Sequence, residues 1–204
     1  MSNYSNFEVI LLAAGLSRRM GSVNKLLLPI RDEALVRRTA SLYCSLGMRV
    51  HVILGHEAPK VRSQLQGLQL TTIVNPDFEQ GQKTSVRVGL QHVLLDGDGL
   101  LIALSDQPLL QSSDIAALCD AYLQGQQDKV LVPHFQVERG NPILFPSSLA
   151  KQISDQGRVP GCRRFIDANP DQVQFFAAKN NHFTFDLDTP EDLARSKETL
   201  KRTG

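Results

Sequence analysis

The sequence predicts an α/β fold in a single domain covering residues 1–204: a mainly parallel, twisted sheet with helices on both faces. Three observations predict it. Short apolar, β-branched runs alternate with stretches whose apolar residues recur at helical spacing, the pattern of strands joined by right-handed helical crossovers. The first run, Glu8 to Ala13, is apolar almost without interruption, as a strand covered on both faces must be. Glycine-rich and charged residues then gather just after strands, at Gly15 to Lys25, Asn75 to Ser85, Asp106 and Asp188, where an open α/β sheet forms its ligand crevice. With 204 residues and a hydrophobic fraction of 42%, the chain can bury one sizeable core.

The elements follow in order. After the Glu8–Ala13 strand, Ala34 to Leu46 carries Leu35, Thr39, Leu42 and Leu46 at helical spacing and closes at Gly47. "MRVHVIL" reads as a strand, Pro59 to Leu68 as a helix and "LTTIV" as a third strand. "QKTSVRVGLQHVLL" places Val86, Leu90, Val93 and Leu94 on one helical face, and "GLLIALSD" is a strand ending on an aspartate. Ser112 to Leu123 and Ser147 to Ile153 read as helices flanking the strands "KVLVP" and "NPILF". "RVPGCRRFIDANP" reads as a short helix after a turn, and "QVQFFA" and "FTFDLD" as strands. Pro190 opens a last amphipathic helix with Thr189 as its cap.

Composition excludes several classes. Lys and Arg number 22 against 21 Asp and Glu, so no global basic field holds nucleic acid or an anionic membrane, and any anion must be bound locally. Cys44, Cys119 and Cys162 are odd in number, far apart and outside any C-x-x-C pair, which argues against a disulfide framework or a zinc site and for a reducing compartment. No signal-peptide pattern and no apolar run approaching the ~18 residues of a membrane span is present, so a cytoplasmic protein is expected. His51, His56, His92, His134 and His182 are scattered and read as surface or packing residues. Cys162, beside Arg163 and Arg164, is the thiol whose pKa neighbouring cations would lower.

The junction after the first strand, "VILLAAGLSRRMGSVNKLLLP", has the chemistry of an anion site. Glycine lets backbone N–H groups approach closely, a following helix adds partial positive charge, and Arg19 and Lys25 add two cations. A solvated basic loop is the plainer alternative. Neither common phosphate loop fits. Gly15 and Gly21 lack the G-x-G-x-x-G spacing, and Gly21 is followed by Ser22 rather than by Lys-Ser/Thr. Asp106 ends an apolar strand that Pro108 prevents from continuing; a carboxylate at such a strand mouth is costly unless it is paired or ligates a cation. A second carboxylate is available in "FDLDTPEDL", where Asp186 and Asp188, read as alternating on a strand, are expected on opposite faces. Asp188 is the better candidate, with capping of the last helix as its alternative role.

"LAAGLSRRMG" followed by "NKLLLP" resembles the signature of the nucleotidyltransferases typified by molybdenum cofactor cytidylyltransferase, and "NPDFEQGQKTSVRVGL", "LSDQPLL", "GNPILF" and "DLDTPEDL" resemble the family's later blocks in order along nearly the whole chain. The resemblance implies a three-layer α/β/α Rossmann-like sheet of the nucleotide-diphospho-sugar transferase type. It implies transfer of a nucleoside monophosphate from a triphosphate to a phosphorylated acceptor, with release of pyrophosphate. Arg19 would hold the β- and γ-phosphates and Lys25 the α-phosphate and attacking group, while Asp106 and Asp188 would bind Mg2+. Leu12, Ala13, Ala14, Gly15, Asn75, Gly81, Ser85 and Gly89 would complete the nucleotide site, Ser85 being alternatively an N-cap or core-facing serine and Gly89 a packing glycine.

The Ala-Ala-Gly and Ser-Val-x-x-Gly-Leu elements also occur in the cytidylyltransferases acting on methylerythritol phosphate, whereas guanylyltransferase relatives read Ala-Gly-Gly, so CTP is favoured over GTP. The implied acceptor is a phosphorylated pterin, and the implied protein partner is an apo molybdenum hydroxylase; a monomer or weak dimer is expected. The chain departs from the family pattern at Gly140-Asn141-Pro142 and "DQGRVPGCRRF", which leaves open a different phosphorylated acceptor met by Arg139, Arg163 and Arg164, as in a sugar-phosphate nucleotidylyltransferase. A guanylyltransferase and a non-catalytic cofactor-binding chaperone are the remaining alternatives.

Overall fold

A computed structural model describes residues 4–21, 23–157 and 161–202. In chain order it forms β1 (Phe7–Ala13), a small hairpin of β2 (Pro29–Ile30) and β3 (Glu33–Ala34), α1 (Leu35–Ser45), β4 (Arg49–Leu54), α2 (Ala58–Gln64) and β5 (Thr71–Val74). These are followed by α3 (Gln82–Leu90), β6 (Gly99–Leu104), α4 (Ser112–Gln124), β7 (Val130–Phe135), β8 (Glu138–Arg139) and β9 (Ile143–Pro146). The last elements are α5 (Ser147–Asp155), α6 (Cys162–Ala168), β10 (Val173–Ala177) and α7 (Pro190–Arg202). The start of the expected helix in "RVPGCRRFIDANP", residues 158–160, lies outside the described residues.

The main sheet runs β10-β7-β9-β6-β1-β4-β5, with β8 pairing to β7. β1 lies parallel between β4 and β6, β4 is parallel to β5, and β10 is parallel to β7. β9, antiparallel to both β6 and β7, is the exception to parallel pairing in the body of the sheet. The alternation of β1 explains its continuous apolar sequence. Val9, Leu11 and Ala13 pack with α1, α2 and α4 on one face, while Ile10 and Leu12 pack with α3, α5 and α6 on the other. This is the expected three-layer α/β/α architecture, with α7 closing a smaller third cluster through Leu200, Phe185 and Leu187.

Register sets the position of the site. Ala13 pairs with Leu54, Leu12 with Leu104, and Leu54 with Val74, so the segments that leave β1, β4, β5 and β6 emerge along one rim of the sheet. Antiparallel β9 enters at this rim, with Ile143 opposite Ile102. Gly140 allows a close approach there, since a Cβ on it would collide with the Phe183 carbonyl oxygen.

Two expectations are corrected. "FTFDLD" makes no ladder; it crosses the rim, with the Leu187 N–H donating to the Asp106 carbonyl at 2.8 Å and the Phe183 carbonyl accepting from the Asn141 N–H at 2.9 Å. Its alternation survives without the strand, because Phe183, Phe185 and Leu187 are buried. The helix expected through Leu95 stops at Leu90. Buried Glu8 accepts hydrogen bonds from the Leu94 and Leu95 N–H groups at 3.0 and 2.6 Å, which holds this stretch in a turn, with Leu95 at φ 56°.

Candidate active site

A cleft of about 420 Å³ opens at this rim, a volume suited to a small ligand. Its charged lining comes from four places in the chain: Arg18, Arg19 and Lys25 after β1, Glu79 after β5, Asp106 after β6 and Asp188 before α7. The 3-10 turn Arg18–Met20 contributes Arg18 and Arg19. A second 3-10 turn, Lys25–Leu27, starts at Asn24, whose side chain accepts from the Leu26 N–H at 3.1 Å. The Lys25 N–H donates to the Ser17 hydroxyl oxygen at 3.2 Å, tying the two turns into one loop. Gly15 borders open space in the cleft, since a Cβ there would meet no atom within 4 Å.

Lys25 sits at the centre of the charges. Its ammonium donates to Asp106 Oδ2 at 2.6 Å and to Asp188 Oδ1 at 2.8 Å, while Arg19 reaches Asp188 Oδ2 at 2.7 Å. Burial alone would lower the Lys25 pKa, but the two carboxylates outweigh it and raise the pKa above the ordinary lysine value. Lys25 is therefore a fixed cation at neutral pH. Arg19 is different. Its side chain is 70% exposed, so the ion pair adds little to stability and leaves the guanidinium able to turn towards an anion.

Asp188 does not cap α7. Thr189 and Asp192 do so reciprocally: the Asp192 N–H donates to the Thr189 hydroxyl at 3.2 Å, and Asp192 Oδ2 accepts from the Thr189 N–H at 2.9 Å. The Asp188 carboxylate is left to the two cations. Asp186 also turns inward, contrary to the expectation that it and Asp188 face opposite ways. Residues two apart in extended chain share a face. Burial first, and then the negative charge of Asp106, push the Asp186 carboxyl up to about 7. Gln107 steadies it, donating to Asp186 Oδ1 at 3.1 Å and to the Phe183 carbonyl at 2.7 Å.

Of the residues singled out from sequence, Leu12, Ala14, Gly15, Arg19, Lys25, Gly81, Ser85, Asp106 and Asp188 line this one cleft. Ala13, Asn75 and Gly89 stand behind it. Ala13 faces the opposite core, Asn75 is fully buried, and a Cβ on Gly89 would lie 2.7 Å from Ile10. Ser85 is not an N-cap, since Gly81 caps α3; it lies within the helix, buried against Asn75 and bordering the cleft. Arg139 and Arg163 border a separate open depression with Thr184, and Arg139 is already paired with Asp167; Arg164 is exposed. The Cys162 thiol is pushed up to about 11 by burial, so the neighbouring arginines do not activate it.

Phe78 is a wall residue that the sequence reading did not single out. Gly55 lets it stand against Ala14, since a Cβ on Gly55 would lie 2.7 Å from both side chains. An isolated aromatic in a strand-end loop is the signal that marks it.

The residues fit a divalent cation. Asp106 Oδ2 and Asp188 Oδ1 already converge on one positive centre, and Asp106 Oδ1 is buried without a hydrogen-bond partner. Among the described residues no cluster of three His, Cys, Asp or Glu side chains is suited to a metal. A cation here would thus take two carboxylates and complete its shell with water and ligand oxygens, the habit of Mg2+ rather than of zinc.

The family model for the MobA-like NTP transferase domain matches residues 9–173. The chain belongs to this family, and it is a nucleotidyltransferase. Among curated relatives it is 27% identical to nicotine blue oxidoreductase of Paenarthrobacter nicotinovorans, covering 91% of this chain and 94% of the relative. It is 25% identical to molybdenum cofactor cytidylyltransferase of Escherichia coli K12, covering 95% and 97%. A solved nucleotidyl transferase from Methanothermobacter thermautotroptrophicus superposes with a TM-score of 0.80 at 19% identity, over 97% of this chain and 99% of that one. The Rv0371c protein of Mycobacterium tuberculosis H37Rv, solved in complex with manganese, superposes with a TM-score of 0.74 at 22% identity, over 95% and 98%. The relatives differ in named activity, so the substrate must be argued from the lining of the cleft.

Proposed function

We propose that the chain is a Mg2+-dependent cytidylyltransferase that transfers CMP from CTP to a phosphorylated pterin, the molybdenum cofactor precursor. The observation that carries this reading is the meeting of Lys25, Arg19, Asp106 and Asp188 at one end of a single cleft. Two cations beside two carboxylates suit a metal-bound polyphosphate, and beyond Arg18 and Glu79 the rest of the lining is uncharged, with Leu12, Ala14, Phe78, Ser85 and Leu104 available to a base and sugar.

In the reaction an oxygen of the acceptor phosphate forms a bond to the α-phosphorus of CTP, the bond from that phosphorus to the β-phosphate bridging oxygen breaks, and pyrophosphate leaves. The phosphate oxygen is already a nucleophile, so no catalytic serine or cysteine is required. The protein's task is positioning and charge neutralisation. Lys25 holds the α-phosphate and the incoming oxygen. Arg19 swings from Asp188 to the β- and γ-phosphates. Asp106 and Asp188 would hold the Mg2+, which would supply neutralisation of the charge that builds on the leaving pyrophosphate. The relation to the Escherichia coli cytidylyltransferase supports the pterin acceptor and, with it, an apo molybdenum hydroxylase as recipient of the product.

The test is pyrophosphate release with Mg2+, each of the four ribonucleoside triphosphates and a panel of phosphorylated acceptors that includes the molybdopterin. Release with CTP and the pterin is expected. Release only with GTP overturns the base assignment, release only with a sugar phosphate overturns the acceptor, and triphosphate binding without release under any pairing overturns catalysis.

A further inference from the structure

Behind the uncharged wall of the cleft, Asn75 organises a small polar network. It is fully buried, and its Oδ1 accepts from the Asp77 N–H at 3.0 Å. A backbone N–H can only donate, so the amide has one orientation: oxygen towards Asp77, nitrogen towards α3. The two protons of Nδ2 then run to Thr84 Oγ1 at 2.9 Å and to Ser85 Oγ at 3.0 Å. The Thr84 hydroxyl has carbonyls for its own proton, Gly81 at 2.9 Å and Asp77 at 3.0 Å. Ser85 has none among the described residues. Its oxygen is engaged as an acceptor, the residue is 3% exposed, and it lines the cleft. A buried hydroxyl proton without an acceptor is costly, and a ligand atom is what can supply the missing partner.

We propose that Asn75 is a positioning residue for base selection. It occupies one of the two Ser85 lone pairs and leaves the hydroxyl proton for the ligand, so the cleft favours a base edge presenting a carbonyl or ring-nitrogen acceptor, such as the O2/N3 edge of cytosine. An amino group at the same point takes the second lone pair and leaves the buried hydroxyl proton without an acceptor, which disfavours it. This rests on the reading of the cleft as a nucleotide site. It deepens that reading by assigning the hydrogen-bond polarity of the wall to a residue that touches no ligand.

The experiment is a thermodynamic cycle. CTP binding with Mg2+ and no acceptor is measured by calorimetry for the wild type, S85A, N75D and the double variant, with thermal melting as the control for folding. In N75D the new carboxylate still accepts from Asp77 but also accepts from Ser85, which turns the hydroxyl proton away from the ligand. S85A is expected to weaken binding about 5- to 10-fold, the scale of one hydrogen bond. N75D should weaken it about 10-fold or more, with kcat at saturating CTP within about threefold of wild type, because the base edge is remote from the phosphate being transferred. In the S85A background N75D should cost less than about threefold. If the two effects multiply instead, Asn75 acts through the scaffold and the assignment is overturned. N75A completes the same cycle where N75D does not fold. If the wild type binds a triphosphate and S85A binds it equally well, the Asn75–Ser85 assignment alone falls. If the wild type binds none of the four triphosphates, the nucleotide reading falls and this inference with it.

Discussion

Replacing Lys25 by Met should strengthen metal binding while it destroys catalysis. The Lys25 ammonium lies between Asp106 and Asp188, the carboxylates proposed to hold the metal, at 2.6 and 2.8 Å from their oxygens, and its side chain is only 11% exposed. A hydrogen bond to a charged group is worth about 1.5 to 3 kcal/mol net of exchange with water, and because one ammonium makes both bonds the two do not add in full. Counting them as roughly one such bond, a metal entering without nucleotide meets a cost of about 1.5 to 3 kcal/mol, or a site about 10- to 100-fold weaker. Manganese binding to ligand-free K25M, followed by the electron paramagnetic resonance of free Mn2+, should therefore be about 10- to 100-fold tighter than binding to the wild type. Turnover should fall about 10²- to 10³-fold, the scale for loss of one transition-state electrostatic contact. Unchanged or weaker Mn2+ binding in folded K25M would refute the idea that the lysine fills the cation's position. Near-normal turnover would refute its role in transfer.

Arg19→Ala should leave the melting temperature nearly unchanged, because the side chain is 70% exposed. It should raise the KM for the triphosphate about 10-fold at low salt and less at high salt, where screening weakens the lost contact; initial rates at two ionic strengths check this. Gly55→Ala places a methyl 2.7 Å from Ala14 and Phe78. Overpacking of this kind costs about 1 to 3 kcal/mol, and displacement of the Phe78 wall should weaken nucleotide binding measurably in a direct titration.

At the opposite rim, Glu8 is 1% exposed and bonded to the Leu94 and Leu95 N–H groups. Burial alone would raise its pKa, but these bonds, with His51 and Arg49, hold it below the ordinary glutamate value. A lowered carboxyl pKa means that Glu8 stabilises the fold above pH ~4.5 and that this contribution is lost as the pH falls through the folded-state value. Glu8→Gln should destabilise the protein by about 2 to 4 kcal/mol at pH 7. In urea titrations the gap to the wild type should narrow below pH ~4.5, and a constant gap would show that Glu8 is not ionised in the folded protein.

The strand-and-helix alternation was legible because burial on both faces of a parallel sheet imposes continuous apolar runs, and β1 shows the consequence by dividing its side chains between two cores. The segment Phe183–Asp188 marks the limit. Its period-2 pattern is real, but the pattern reports only that Phe183, Phe185 and Leu187 are buried, and a turn at Asn181–Phe185 that runs on across the sheet's rim buries alternate residues in the same way as a strand. The early end of α3 had no local signal, since it depends on a carboxylate from β1. Asn75 belonged to the right loop but stood in a different place: its amide is consumed by Asp77, Thr84 and Ser85, and nothing in the order of residues tells a ligand contact from the residue that orients one.

From residue order came the layer architecture, the loops that follow the strands and the types of charged group they carry, because periodicity and turn chemistry are local properties. Folding alone made a site of them. Lys25 lies 81 residues from Asp106 and 163 from Asp188, and only the parallel register of β1 with β6, together with the Leu187 hydrogen bond to Asp106, brings the three to one point. The burial of Asp186 beside Asp106 and the meeting of the Lys25 ammonium with both carboxylates depend on contacts between distant segments, which no local pattern encodes.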